Sequence, residues 1–144
     1  MCAFLAGHPG YPHHAVYEDA ATIAFLARPA TLLGYCIVAP RRHVEDWVGG
    51  MAEDEYLALQ RVVHRVATAV AAVVPVERMY CLSLGSQQGN AHLHWHVAPL
   101  PPGVPYERQR PGHQEPRLTA RMGSITCVAS SDRGRNGGSG ARTT

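Results

Sequence analysis

The chain has 144 residues and a formal net charge of +2, enough length for one domain with a real core and too little charge to argue for nucleic acid as a partner. No apolar run approaches the roughly 20 residues of a membrane span, and MCAFLAGHPGYPHH at the start has no basic region ahead of an apolar stretch, so no secretory leader is expected. Cys2, Cys36, Cys81 and Cys127 are scattered without a C-x-x-C pair, which argues against a disulfide framework and points to a reduced, cytoplasmic protein.

In chain order, residues 21–27 (ATIAFLA) and 34–39 (GYCIVA) read as buried strands, short, apolar and bounded by Pro29 and Pro40. Residues 53–74 read as one helix. Leu59, Val62, Val63, Val66, Val70 and Val73 recur at helical spacing, while Gln60, Arg61, His64, Arg65 and Thr68 fill the other face. Glu53, Asp54 and Glu55 complement the dipole of the first turn, and Pro75 stops continuation. Residues 78–84 (RMYCLSL) read as a further strand. A polar loop, GSQQGN at 85–90, then leads into HLHWHVAPL, a strand ended by Pro99, Pro101 and Pro102. Strands separated by one long helix, then a tight return, imply α+β with an antiparallel sheet. The composition changes near residue 101, giving an expected domain over 1–110 and an irregular tail over 111–144. Disorder is expected from about Ser130 onward, because the tail lacks the apolar periodicity that would offset ordering entropy. SITCVAS could be a strand or loosely packed chain.

HLHWH places His92, His94 and His96 at alternate positions, so on a strand all three imidazoles project from one face. Leu93, Trp95 and Val97 would anchor the other face in the core. Side chains two residues apart on a strand stand about 7 Å apart, close enough to line one ligand site. Three readings compete. The first is a half-exposed strand whose polar face happens to be histidine. The second is a metal site, which needs three or four ligands converging on one ion at about 2 Å. A third histidine in line points away from such an ion, and no cysteine pair offers a fourth ligand. The third reading is nucleophilic catalysis by neutral imidazole, whose ordinary pKa of about 6.5 keeps its lone pair available near pH 7. Backbone N–H groups of the GSQQGN loop, with Gln88, could then receive a phosphate.

At this point the residues resemble a family. His92-Leu93-His94-Trp95-His96-Val97-Ala98 matches His-φ-His-φ-His-φ-φ of the histidine triad (HIT) nucleotide hydrolases and transferases, and GYCIVAPRRHVED at 34–46 resembles the family's block reading roughly G-H-x-L-V-x-P-K-x-H. The resemblance covers roughly residues 17–100. It implies a HIT-like antiparallel sheet of about five strands with one long helix, a homodimer, a nucleotide substrate and no required metal or other cofactor. His94 would be the nucleophile that attacks the α-phosphorus and forms a nucleotidyl-histidine intermediate. His96 would assist the leaving group, and His92 would hold the array in register with His43 close by. Gln88 falls where the family often has a phosphate-contacting glutamine, Ser83 near a family asparagine, and Phe25 in the apolar wall around the base.

The chain also departs from the family. Ala27 stands where many members carry an acidic residue that binds the ribose hydroxyls. Zinc-binding members use an N-terminal C-x-x-C, and here Cys2 is followed by Leu5, so that clamp lacks a thiolate. The loop at 85–91 is shorter than the phosphate loop of the phosphoramidase branch. The activity expected is therefore hydrolysis or transfer of a nucleotidyl group, on phosphoramidates or dinucleoside polyphosphates. The alternative is a nucleotide-binding module with little turnover. Taken singly, His64, His8, His13 and His14 read as surface residues, and Trp95 as a core anchor. Phe25 reads equally as core or pocket wall, and Arg41 and Arg42 as solvated charges that could steer an anion.

Overall fold

Valine and leucine at helical spacing drive the longest element, and the computed structural model places it as the sequence implies. The structure describes residues 14–28, 32–84, 90–106 and 109. Gln88, SITCVAS, the tail with its expected disorder, Cys2, Cys127, His8 and His13 lie outside the described residues. The elements are β1 (Ala15–Glu18), β2 (Thr22–Leu26), β3 (Cys36–Pro40), α1 (Trp47–Gly50), α2 (Glu53–Val73), β4 (Arg78–Leu82) and β5 (Trp95–Leu100). The strands form one antiparallel sheet in the order β1-β2-β3-β5-β4, which with the long helix makes the α+β architecture expected.

Helix α2 buries Leu59, Val62, Val63, Val66 and Val70 against the sheet. Val73 departs from the expected stripe and is exposed, while Val74, one residue on, is buried in its place. The backbone N–H of Val74 closes the helix on the Val70 carbonyl, and Pro75 follows. Three acidic residues occupy the first turn without a capping side chain at Ala52, so the macrodipole and packing hold that end.

Strand alternation sorts the sheet residues into two layers. Ala24, Cys36, Val38, Trp95 and Val97 face α2 and complete the main core, where Trp95 is the anchor expected. The opposite parity carries a smaller cluster of Ile23, Phe25 and Ala39, with Ile37 packed against it. In register, Phe25 lies across from Ile37, Ile37 from His96, and His96 from Leu82. The apolar cluster and His96 therefore share the face away from the helix.

Two elements lack a strong sequence signal. β1 is four residues long and irregular in its pairing between Ala15 and Tyr17. α1 is one turn of WVGG, nucleated by Asp46, whose carboxylate accepts from the N–H groups of Val48 and Gly49. Gly34 enters β3 with φ +77°, and a Cβ there would come within 3.0 Å of both Val70 Cγ1 and Val74 Cγ2. Only glycine allows this approach to the end of α2. No helix among the described residues is long and apolar enough to cross a membrane.

Candidate functional site

Pro40 shapes the site by ending β3. It has no N–H for a ladder, and its carbonyl accepts instead from the imidazole of His92, Nε2 to O 2.8 Å. The N–H of Leu93 bonds the Val44 carbonyl at 2.6 Å, on the turn after β3. The strand β5 consequently begins at Trp95, and His92 and His94 precede it. This corrects the expectation of three imidazoles in one regular strand row. The rings of His94 and His96 lie edge to face with centroids 4.8 Å apart, while His92 turns toward His43. Likewise β4 ends at Leu82, leaving Ser83 just beyond it.

His92 and His94 are only 2% and 6% exposed, which removes the reading of a half-exposed polar strand face. Their hydrogen bonds fix their hydrogens, because a carbonyl oxygen can only accept. His94 Nδ1 lies 2.7 Å from the His92 carbonyl oxygen, so Nδ1 carries the hydrogen. The lone pair of the neutral ring is then on Nε2. His92 donates from Nε2 to Pro40, which leaves its Nδ1 to accept from His43 Nδ1 at 3.3 Å. His43 Nε2 in turn lies 3.0 Å from the Glu45 carboxylate. The expected neighbourhood of His43 and His92 is present, with ring centroids 5.2 Å apart.

Tyr35 completes the cluster, and sequence reasoning did not single it out. Its hydroxyl lies 2.7 Å from His96 Nδ1, and the two rings stack with centroids 5.8 Å apart. The signal was available: Tyr35 is the second residue of GYCIVAPRRH, where the resembled pattern has histidine, and it shares strand parity with Ile37. Burial pushes the Tyr35 hydroxyl above its ordinary pKa, so it remains protonated. Burial, with the neighbouring His94 adding, holds His96 down at about 4. Burial lowers His92 as well, opposed by its bond to Pro40 and assisted by His43. His92 and His96 are thus neutral rings at pH 7.

The other candidates divide. Phe25 is buried in the cluster beside Ile37, two strands from His96 in register with Ile37 between them. Ala27 is buried, and its N–H bonds the Tyr35 carbonyl, so the position otherwise taken by an acidic residue is an apolar one beside Tyr35. Ser83 is half-buried, and no hydrogen bond described for the histidines reaches it. Arg41 pairs with Glu18 at 3.0 Å and Arg42 with Glu55 at 2.8 Å, so both are engaged away from the triad. The Arg42 guanidinium, chiefly by its hydrogen bonds, holds Glu55 below the usual carboxylate range. His64 is exposed on α2, in a shallow depression with Leu57, Gln60, Arg61 and Arg65. Among the described residues no three His, Cys, Asp or Glu side chains are gathered for a metal ion.

Comparison with known proteins agrees with this geometry. The profile of the HIT domain matches residues 9–102. A HIT-like protein involved in cell-cycle regulation from Bartonella henselae is 23% identical, with a TM-score of 0.63 over 72% of this chain and 77% of that one. A member of the HIT family from Bacillus subtilis is 25% identical, with a TM-score of 0.61 over 68% and 70%. A zinc-bound histidine triad family protein from Mycobacterium smegmatis is 21% identical, with a TM-score of 0.64 over 81% of each chain. No curated protein matches the chain.

Proposed function

Because the chain belongs to the HIT domain family, we propose that it is a nucleotide hydrolase or nucleotidyl transferase working through a covalent nucleotidyl-histidine on His94. One observation carries the reading. The His92 carbonyl holds a hydrogen of His94 on Nδ1, so the neutral tautomer of that ring carries its lone pair on Nε2.

The reaction is two displacements. His94 Nε2 forms a bond to the α-phosphorus as the bond to the leaving oxygen or nitrogen breaks, and the leaving atom takes up a proton from solvent. Water then attacks phosphorus, the P–N bond breaks, the proton lost by that water returns to solvent, and neutral His94 is restored. His96, in edge contact with His94, stands ready to hydrogen-bond the leaving atom, and His92 with His43 braces the array. Phe25, beside Ile37, contributes to an apolar wall for a base. Gln88 and Ser83 are proposed phosphate contacts on the resemblance alone. Phosphoramidates and dinucleoside polyphosphates are the substrate classes. The chemistry calls for no metal from the protein, and a reducing cytoplasm suits Cys36 and Cys81, which form no disulfide among the described residues. The working unit in this reading is a homodimer. Among the described residues β4 pairs with β5 alone, which leaves an edge on which a second copy could add.

Ala27 favours a second reading, a nucleotide-binding module with little turnover, because an alanine cannot bind ribose hydroxyls as a carboxylate does. One experiment separates the two. The protein and His94→Ala are incubated with adenylyl and guanylyl phosphoramidates and dinucleoside polyphosphates, and both are weighed intact. Turnover with a nucleotidyl mass on the wild type alone supports the enzyme. Binding that survives His94→Ala, with no turnover in the wild type, supports the module.

A further inference from the structure

The triad accounts for three of the rings, but not for the phenol that touches one of them. We propose that Tyr35 is a positioning residue for the reaction: its hydroxyl donates to Nδ1 of His96 and thereby holds the hydrogen of that ring on Nε2, as the donor for the atom that leaves phosphorus. The inference rests on the proposed function and concerns how the same site prepares its leaving-group donor.

Three observations lead to it. The oxygen of Tyr35 is 2.7 Å from Nδ1, within the range of a good hydrogen bond. The lone pair of a ring nitrogen is a better acceptor than a phenol oxygen, and a phenol O–H is a better donor than a neutral imidazole N–H, so the hydrogen runs from tyrosine to histidine. Nε2 of His96 is buried and has no hydrogen-bond partner among the described residues. A buried polar atom left so is costly, and the leaving oxygen or nitrogen of a substrate supplies the missing acceptor. Since burial keeps His96 neutral at pH 7, the ring cannot donate as an imidazolium. It donates only if the hydrogen stands on the correct nitrogen, and Tyr35 sets that choice. The stacking of the two rings adds orientation, because it resists rotation of His96 about χ2.

Strand geometry makes the contact possible. Cys36 lies opposite Val97, which places Tyr35 one step beyond and diagonal to His96 on the same face. A long side chain is needed to span the diagonal. The buried alanine at position 27, just past β2, brings no charged side chain of its own to the tyrosine that would compete for its hydroxyl.

The test uses the full chain labelled with 15N-histidine. In the wild type, the side-chain resonances of His96 should read as an unprotonated, hydrogen-bonded Nδ1 and a protonated Nε2. Tyr35→Phe should shift the Nδ1 resonance. The same substitution should lower kcat about tenfold, the scale of one hydrogen bond, with KM nearly unchanged. In a His96→Ala background it should lower kcat no further, whereas a merely structural tyrosine would slow both backgrounds alike. A protonated Nδ1 in the wild type, an unmoved resonance in Tyr35→Phe, or equal losses in both backgrounds would overturn the assignment. Absence of turnover in the wild type would instead defeat the proposed function, and the wild-type resonances would still decide which nitrogen Tyr35 serves.

Discussion

His94 takes its tautomer from the main chain of His92, not from a side chain: the ring Nδ1 lies 2.7 Å from the His92 carbonyl oxygen. The two parts of His92 therefore have separate tasks. Its carbonyl sets the tautomer of the proposed nucleophile, and its imidazole ties the segment before β5 to Pro40 and His43. His92→Ala keeps the carbonyl and loses the ring. We expect a loss of about 2–4 kcal/mol in stability from the cavity and the unsatisfied Pro40 carbonyl, read as a lower urea midpoint. The nucleotidyl adduct should still form on folded protein, and it should be absent in His94→Ala. A variant of normal stability, or one folded but without adduct, would contradict this division.

Acid should weaken the fold through His96. Its folded pKa of about 4 is below the ordinary value of about 6.5 in the unfolded chain. Between those values the unfolded chain binds a proton that the folded chain does not. Stability is then full above about pH 6.5 and declines as the pH falls toward 4. His92 is shifted in the same direction and adds to the loss. For a ring still in partial contact with solvent, the His96 share is on the order of 1 kcal/mol between about pH 7 and 4.5. Urea midpoints at both pH values should fall less for His96→Gln than for wild type, and parallel falls would contradict the assignment.

Gly34→Ala should destabilise by about 2–3 kcal/mol, combining the left-handed backbone conformation with overpacking. The backbone stands at φ +77°, and the new methyl would meet two valine methyls at 3.0 Å. Thermal or urea unfolding checks it. A neutral result would mean that the end of α2 yields easily.

Asp46→Ala removes the carboxylate that receives both N–H groups at the start of α1. A cost of about 1 kcal/mol is expected, without change in the nucleotidyl adduct. Urea unfolding and intact mass, measured on one preparation, test both halves.

Much of this molecule was legible in its sequence for physical reasons. The stripe Leu59, Val62, Val63, Val66, Val70 implied α2 because five buried residues at helical spacing have no other arrangement. Parity in HLHWHVAPL implied which side chains enter the core, and Trp95 went where alternation sent it. The pattern was less informative wherever the main chain left the ladder. Nothing in HLHWH announces that the proline ending β3 stops the pairing, so the row of three rings was anticipated where a pair and a separate neighbour occur. β1 and α1 are too short to establish a period. The block GYCIVAPRRH marked the position of Tyr35, but its contact with His96, 61 residues on, depends on register between strands, which no local window contains.

Gly34 lies against Val70 and Val74, and the next residue holds the ring of His96. A single peptide unit therefore separates a packing joint from a proton position. Any change that swells the last turn of α2 pushes on the peptide that carries the Tyr35 hydroxyl. The helix end thus packs one residue away from the Tyr35–His96 contact, although it lies on the other face of the sheet from His96. If the proposed reaction runs as described, substitutions at Val70 and Val74 should alter its rate with every residue of the cluster left as it is.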